Sequence, residues 1–177
     1  MLIGLCGAAG SGKDSVASFL TGYRKVAFAD PLYECVSAIT SISVERLKDR
    51  VVKEAVIPWI GKSPRQMLQT LGTEWGRDIV HDELWVRALF KRIAGDLGRH
   101  ANVVITDVRF RNEAAPVLGH GGEVWRVIRP GLACLAGETA THSSEAGIPD
   151  RMVSGVILND GTLDDLKRKV QEAIIRG

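Results

Sequence analysis

The sequence predicts an α/β fold: a mainly parallel five-stranded sheet with helices on both faces. Three observations predict it. Continuous apolar runs of strand length recur along the 177 residues, helix-spaced apolar patterns separate them, and a glycine-rich loop joins the first run to the first helix. Runs such as Val103-Val104-Ile105 and Val156-Ile157-Leu158 lack polar alternation, as expected of strands covered on both faces. A chain of this length reads as one domain with room for a sizeable core.

The first strand is expected over Leu2–Cys6, and the loop Gly7-Ala8-Ala9-Gly10-Ser11-Gly12-Lys13 follows it directly. Helical spacing begins at Val16, Ala17, Phe19 and Leu20. Strand, glycine-rich turn and helix start together make the setting of a phosphate-binding loop, in which backbone N–H groups turn toward a polyphosphate. Lys13 would reach the outer phosphates as a point charge. One letter departs from the usual pattern: the residue after the lysine, normally a Ser or Thr that holds Mg²⁺, is Asp14.

Later elements follow in order. Strands are expected over Lys25–Phe28, Asn102–Thr106, Glu123–Ile128 and Gly155–Leu158. Ile42–Trp59 reads as mixed helix and loop. Ser63-Pro64-Arg65-Gln66 has the form of a helix start, with Ser as N-cap, Pro at the first position and Gln at the third. By α-helical spacing the helix that follows buries Met67, Leu68, Leu71, Trp75 and Ile79 and leaves Arg65, Gln69 and Thr73 as a separate stripe. Arg65 sits in a first turn, where the helix dipole disfavours a cation; a nearby anion or a plain solvated face would each account for it. Leu84 through Ala94 reads as an amphipathic helix in which Trp85 suits a core position. Asn159-Asp160-Gly161 forms a turn, and Thr162-x-x-Asp165 resembles a capping box opening the last helix.

Ligands of such sheets bind beyond the carboxyl ends of the strands, and the Gly7 loop, Asp30, Asp107 and Asn159 all follow strands. Asp107, at the end of an apolar strand, has the pattern that holds Mg²⁺ in phosphate-loop enzymes, with Arg109 two residues on. A salt-bridged helix cap is the structural alternative for that pair. Leu132 to Pro149 is rich in Gly, Ala, Ser and Thr, a composition that suits a lid over the phosphates. His142 and Glu145 lie within it without metal-ligand spacing, which argues against a metal hydrolase.

Hydrophobic residues make up 45% and charged residues 25%, ordinary for a soluble globular protein, and a net charge of +2 gives no reason to expect nucleic acid as partner. Arginine outnumbers lysine 15 to 8, a bias that suits planar recognition of phosphate and follows equally from base composition. Three unpaired cysteines (Cys6, Cys35, Cys134) fit a reducing compartment, with Cys6 as a small core residue. The short apolar start reads as a buried strand rather than a leader, no stretch is long enough to span a membrane, and a cytoplasmic protein is expected.

With these residues in view, the chain resembles the deoxynucleoside monophosphate kinases of bacteriophages. The resemblance rests on Ser11-Gly12-Lys13-Asp14-Ser15, Arg65 with Gln69-Thr70-Leu71-Gly72-Thr73, Trp85-Val86, Asp107-x-Arg109, Arg129-Pro130-Gly131, Thr141-His142-x-Ser144-Glu145-Ala146-Gly147-x-Pro149 and Asn159-Asp160-Gly161. In that family the hydroxyl follows the lysine one position late, which accounts for Asp14. Some relatives carry a longer segment ahead of the Arg65 helix, where this chain is brief.

The resemblance implies a P-loop NTPase three-layer sandwich with a monophosphate-binding helical part around 30–97 and a lid-like segment around 129–149. It implies transfer of the γ-phosphoryl of ATP to a deoxynucleoside monophosphate. Lys13, Arg65, Arg109 and Arg129 would be catalytic. Gly10, Ser11, Gly12, Lys13, Asp14 and Ser15, with Asn159, Asp160 and Gly161, would bind ATP. Asp30, Arg65, Gln69, Thr73, Trp85, Asp107, Arg109 and Glu145 would bind the acceptor, and Asp14, Ser15 and Asp107 would hold Mg²⁺. A homodimer is suggested, although no stretch of sequence marks an interface. Two other readings stay open: a P-loop kinase of another small metabolite, with Asp30 as base for a hydroxyl acceptor, and an ATP-binding regulatory module.

Overall fold

Five strands build one sheet in the order β2-β3-β1-β4-β5, and every pair is parallel. They are β1 (Leu2–Cys6), β2 (Arg24–Val26), β3 (Val103–Ile105), β4 (Glu123–Ile128) and β5 (Gly155–Leu158). The computed structural model describes residues 1–131 and 147–176. The described chain divides into two compact units, one of Met1–Ala27 with Ile93–Gly177 and one of Phe28–Arg92.

The first unit holds the sheet. β1 is wholly buried at its centre, with Ile3 paired to Val104 on one side and Glu123 on the other. The period-2 alternation of its side chains decides what covers each face. Ile3 and Leu5 join Trp125, Val127 and Ile157 in a core closed by α1 (Lys13–Phe19) and α8 (Leu163–Arg176), through Val16, Leu20, Leu166 and Val170. Gly4 points the other way, toward Val108 and the Val117 methyls of α7 (Arg111–Gly119). Helix, sheet and helix form the three layers.

Two strands are shorter than their apolar runs suggest. β2 ends at Val26, although Phe28 is also buried, because the chain turns there toward the next helix and Phe28 serves that turn. β3 stops at Ile105, where Thr106 N donates to Val26 O (3.0 Å) as the last rung beside β2.

The second unit is helical: α2 (Asp30–Thr40), α3 (Val44–Lys48), α4 (Arg50–Glu54), α5 (Pro64–Gln69), a π-helix over Thr70–Val80, and the start of α6 (Leu84–Gly98). Val36, Leu47 and Leu68 form its core, with Leu32, Tyr33, Ile42, Met67 and Leu71 packed against them. α5 opens with the expected capping box: Ser63 Oγ accepts from Gln66 N, and Gln66 Oε1 accepts from Ser63 N (3.0 Å).

The α-helical spacing expected beyond Gln69 does not hold. From Thr70 the bonds widen to the i→i+5 pattern, ending with His81 N to Gly76 O at 2.9 Å. Each wider turn slips the register, so Gly72 and Gly76 follow Leu68 into the interior while Trp75 and Ile79 turn out, 46% and 76% exposed. Glycine is what makes the swap possible. A Cβ on Gly76 would lie 2.5 Å from Trp85 Cζ2, and one on Gly72 would press on Leu32 at 3.2 Å.

Candidate active site

The loop after β1 folds tightly around Lys13. Lys13 Nζ donates to Gly7 O (2.7 Å) and Ala8 O (2.8 Å), Ser11 N donates to Ala8 O (3.2 Å), and Val16 N begins the helix on Gly12 O (3.0 Å). Gly7 and Gly12 carry φ of +140° and +103°, conformations that L side chains rarely adopt. Space enforces the same choice: a Cβ on Gly7 would run into Val127 O, and one on Gly12 into Asn159 Nδ2. Ser11 lies beneath, only 2% exposed, and among the described residues its Oγ is a buried side-chain oxygen without a hydrogen-bond partner.

Above the loop opens a cleft of about 350 Å³. Gly10, Gly12, Lys13, Asp14 and Ser15 line one side, and Arg129, Asn159, Gly161 and Leu163 complete it. Residues from the first loop, from the end of β4 and from the turn after β5 thus share one cavity, as the strand-end rule requires. Asn159 ties them together, its Nδ2 donating to Ser11 O (2.9 Å) and its backbone N to Ile128 O (2.7 Å). Asp160 belongs to the same turn, but its carboxylate pairs with Lys169 of α8.

The loop after β3 brings opposite charges to the same lysine. Burial foremost, then the Arg109 guanidinium, holds Lys13 below its ordinary pKa, while Asp14 and Asp107 pull the other way. Lys13, Arg109, Asp14 and Asp107 therefore share one electrostatic neighbourhood. The loop itself is pinned from both sides: Val108 N donates to Leu5 O (3.0 Å), and Glu113 Oε2 accepts from Arg109 N (2.7 Å) and Phe110 N (3.0 Å).

Two organising residues escape the motif patterns. Glu113 is 2% exposed; its readable signal was a Glu at the third position of the helix after an Asp-x-Arg loop. Arg126 pairs in register with Cys6, its positive charge favours the ionised form of that thiol, and it also holds Asp150 and the carbonyl of Ile148. Nothing local marks that role, since its partners lie 22 and 24 residues on. Cys6 is buried as expected, and burial foremost pushes its thiol pKa up.

In the helical unit, Arg65, Gln69 and Thr73 are all exposed. The misplaced first-turn cation has an anion close by: Arg65 Nε binds Glu54 Oε1. Asp30 opens α2 with Lys48 Nζ 4.0 Å away. Trp85 is a correction. It is 6% exposed and its Nε1 donates to Gly72 O at 2.8 Å, so ring and donor are spent on the interior and it is not a platform for a base. Glu145, together with His142 and most of the lid-like stretch, lies outside the described residues.

Comparison with known proteins decides the family. The family model described as deoxynucleotide monophosphate kinase matches residues 36–170. The chain belongs to the deoxynucleotide monophosphate kinase family. The kinase is 32% identical to a protein of Acanthamoeba polyphaga mimivirus that bears this name provisionally, over 96% of this chain and 94% of that one. It is 29% identical to the deoxynucleoside-5'-monophosphate kinase of Escherichia phage T5, with the same two coverages. The T5 alignment spans 241 positions against a kinase of 177 residues, so that relative carries inserted sequence. Among solved structures, dephospho-CoA kinase from Campylobacter jejuni matches with a TM-score of 0.56 at 12% identity, covering 99% of this kinase and 96% of that chain. At that identity the likeness is one of fold alone.

Proposed function

We propose that the protein transfers the γ-phosphoryl group of ATP to the phosphate of a deoxynucleoside monophosphate, giving the diphosphate and ADP. The observation that carries the reading is the setting of Lys13: an ammonium folded against its own glycine loop, at the edge of a cleft, with Arg109, Asp14 and Asp107 in electrostatic reach. Family membership supplies the acceptor class.

The chemistry asks little of the protein in the way of proton transfer. The acceptor phosphate has a second pKa near 6, so its oxygen is largely ionised and needs no general base. That oxygen forms a bond to the γ-phosphorus while the bond from the γ-phosphorus to the β,γ-bridging oxygen breaks, leaving ADP. Catalysis then consists of alignment and neutralisation of charge between two anions.

Gly10, Ser11, Gly12, Lys13 and Ser15 take the donor phosphates, Asn159 and Gly161 border the nucleoside of ATP, and Arg129 meets the transferring group from the cleft wall. Asp160 completes that turn through Lys169. Arg109 and Arg65 bind the acceptor phosphate, with Asp30, Gln69 and Thr73 toward its nucleoside. Glu54 is then the resting counter-ion of Arg65; an exposed pair of this kind is worth about 0–1 kcal/mol, a small barrier to a phosphate dianion.

Asp14, Ser15 and Asp107 offer only hard oxygen donors, which fits Mg²⁺. Among the described residues no three His, Cys, Asp or Glu converge as a metal site, in keeping with an ion that completes its shell from substrate phosphates and water. When bound, Mg²⁺ supplies charge neutralisation on the phosphate oxygens.

An ADP-release assay over a panel of deoxynucleoside monophosphates, ribonucleoside monophosphates and alcohols, with product identification, tests the reading. Expected are deoxynucleoside diphosphates as product, and a fall in kcat of about 10²-fold or more in Lys13→Ala at unchanged secondary structure. Transfer to alcohols alone, or ATP binding with no transfer, would overturn it.

A further inference from the structure

We infer that Glu113 is a positioning residue of the phosphoryl-transfer site: its buried carboxylate fixes the loop that presents Asp107 and Arg109. The inference rests on the function proposed above and adds a residue to its machinery.

The loop between β3 and α7 has little of its own to hold it. It contains no regular structure, yet it carries two charged side chains that must keep their place while a phosphoryl group moves. Its backbone donors are spent in an ordered way. Thr106 N goes to Val26 O and Val108 N to Leu5 O, so the first half straddles β2 and β1. Val108 is 2% exposed and fills the space left by Gly4, where a Cβ would lie 2.9 Å from Val108 Cγ2. The second half has no strand to lean on. There Arg109 N and Phe110 N both donate to one oxygen, Glu113 Oε2, at 2.7 and 3.0 Å.

A helix cap alone does not call for this. In a capping box the third helical residue accepts the N-cap N–H, and the N-cap side chain returns the bond. Here the N-cap is Phe110, whose ring carries no oxygen or nitrogen, and Glu113 N donates to the Phe110 carbonyl at 3.0 Å. Besides the N-cap N–H, the carboxylate reaches one residue further out, to Arg109 N, which lies before the helix. A buried carboxylate is costly unless charge-assisted bonds compensate it. Spending a buried carboxylate on the backbone of Arg109 makes sense when the position of Arg109 matters. Misplacement of a reacting group by about 1 Å costs on the order of 10²-fold in rate.

Two variants separate positioning from charge and from fold. Glu113→Gln keeps an oxygen at the same reach and is expected to retain kcat within about threefold. Glu113→Asp keeps the charge but withdraws the oxygen by one methylene, and should lower the thermal midpoint by some degrees and kcat by tenfold or more, measured at a temperature where the variant is fully folded, while ATP affinity stays near wild type. In an Arg109→Ala background the Asp substitution should have little further effect, because residues acting as a unit are not additive. Full activity in Glu113→Asp, equal losses in Gln and Asp, a fully additive loss in the Arg109→Ala background, or collapse of the fold in Glu113→Asp would each overturn the inference. If the wild type itself transfers nothing to deoxynucleoside monophosphates, it is the function reading that fails.

Discussion

Gly12 is where backbone and side-chain demands meet most tightly. Its φ of +103° disfavours any L side chain, and the space a Cβ would take holds Asn159 Nδ2, the group that binds Ser11 O. Gly12→Ala should therefore cost about 1–2 kcal/mol for the conformation alone and displace Asn159 from the loop. The checkable outcome is loss of the rise in thermal midpoint that ATP gives the wild type; a full rise would show that the loop tolerates the side chain. The glycine-rich loop and its lysine were legible because a phosphate cradle needs those residues at fixed spacing. The role of Asn159 as the brace of that loop was not, since a residue 148 positions away leaves no mark in local sequence. Arg65 teaches the same lesson: its conflict with the helix dipole could be read, but its partner Glu54 could only be seen.

At the scale of elements, the helix from Pro64 onward shows why periodicity misleads. Leu71, Trp75 and Ile79 stand at α-helical spacing, and the letters alone favour burying all three, yet only Leu71 packs against the core. Beyond Leu71 the π-helix turns Gly72 and Gly76 inward in place of Trp75 and Ile79, and at Gly76 only glycine lets the Trp85 ring close in. Gly76→Ala should destabilise the fold by about 1–3 kcal/mol through overpacking, whereas Ile79→Ser should stay within about 0.5 kcal/mol of wild type. Denaturant unfolding of the two variants checks this, and the reverse ranking would restore the α-helical register. Elsewhere the stretch without motifs gains a structural account: consecutive residues of α4 face different neighbours, Lys53 bonding Tyr33 OH and Glu54 bonding Arg65.

For the whole molecule, titration sets two limits on stability. Arg92, Lys169 and the Thr162 hydroxyl hold the carboxyls of Glu34, Asp160 and Asp165 respectively below the usual carboxylate range. Groups with a depressed folded pKa stabilise above the unfolded value of about 4 and lose that contribution as pH falls through the folded one. Burial raises the Cys6 thiol and the Tyr23 phenol, so their neutral forms favour folding below about pH 8.5–10 and the benefit is lost on the alkaline side. The thermal midpoint should thus hold a plateau from about pH 5 to 8 and fall on both sides. Because the acidic groups are exposed, the acid limb should flatten in high salt; a salt-independent acid limb would contradict the assignment. The sheet was legible as a whole because parallel strands covered on both faces must read as unbroken apolar runs, while strand ends were set by turns that letters mark poorly. The strand order also dictates a timetable. β1 precedes the other four strands of the sheet in the sequence, yet its neighbours are β3 and β4, and the crest of its loop is braced by a residue after β5. The phosphate loop is therefore without its brace until Asn159 has been made, so a nascent chain should gain its grip on a nucleotide only after β5 has been added.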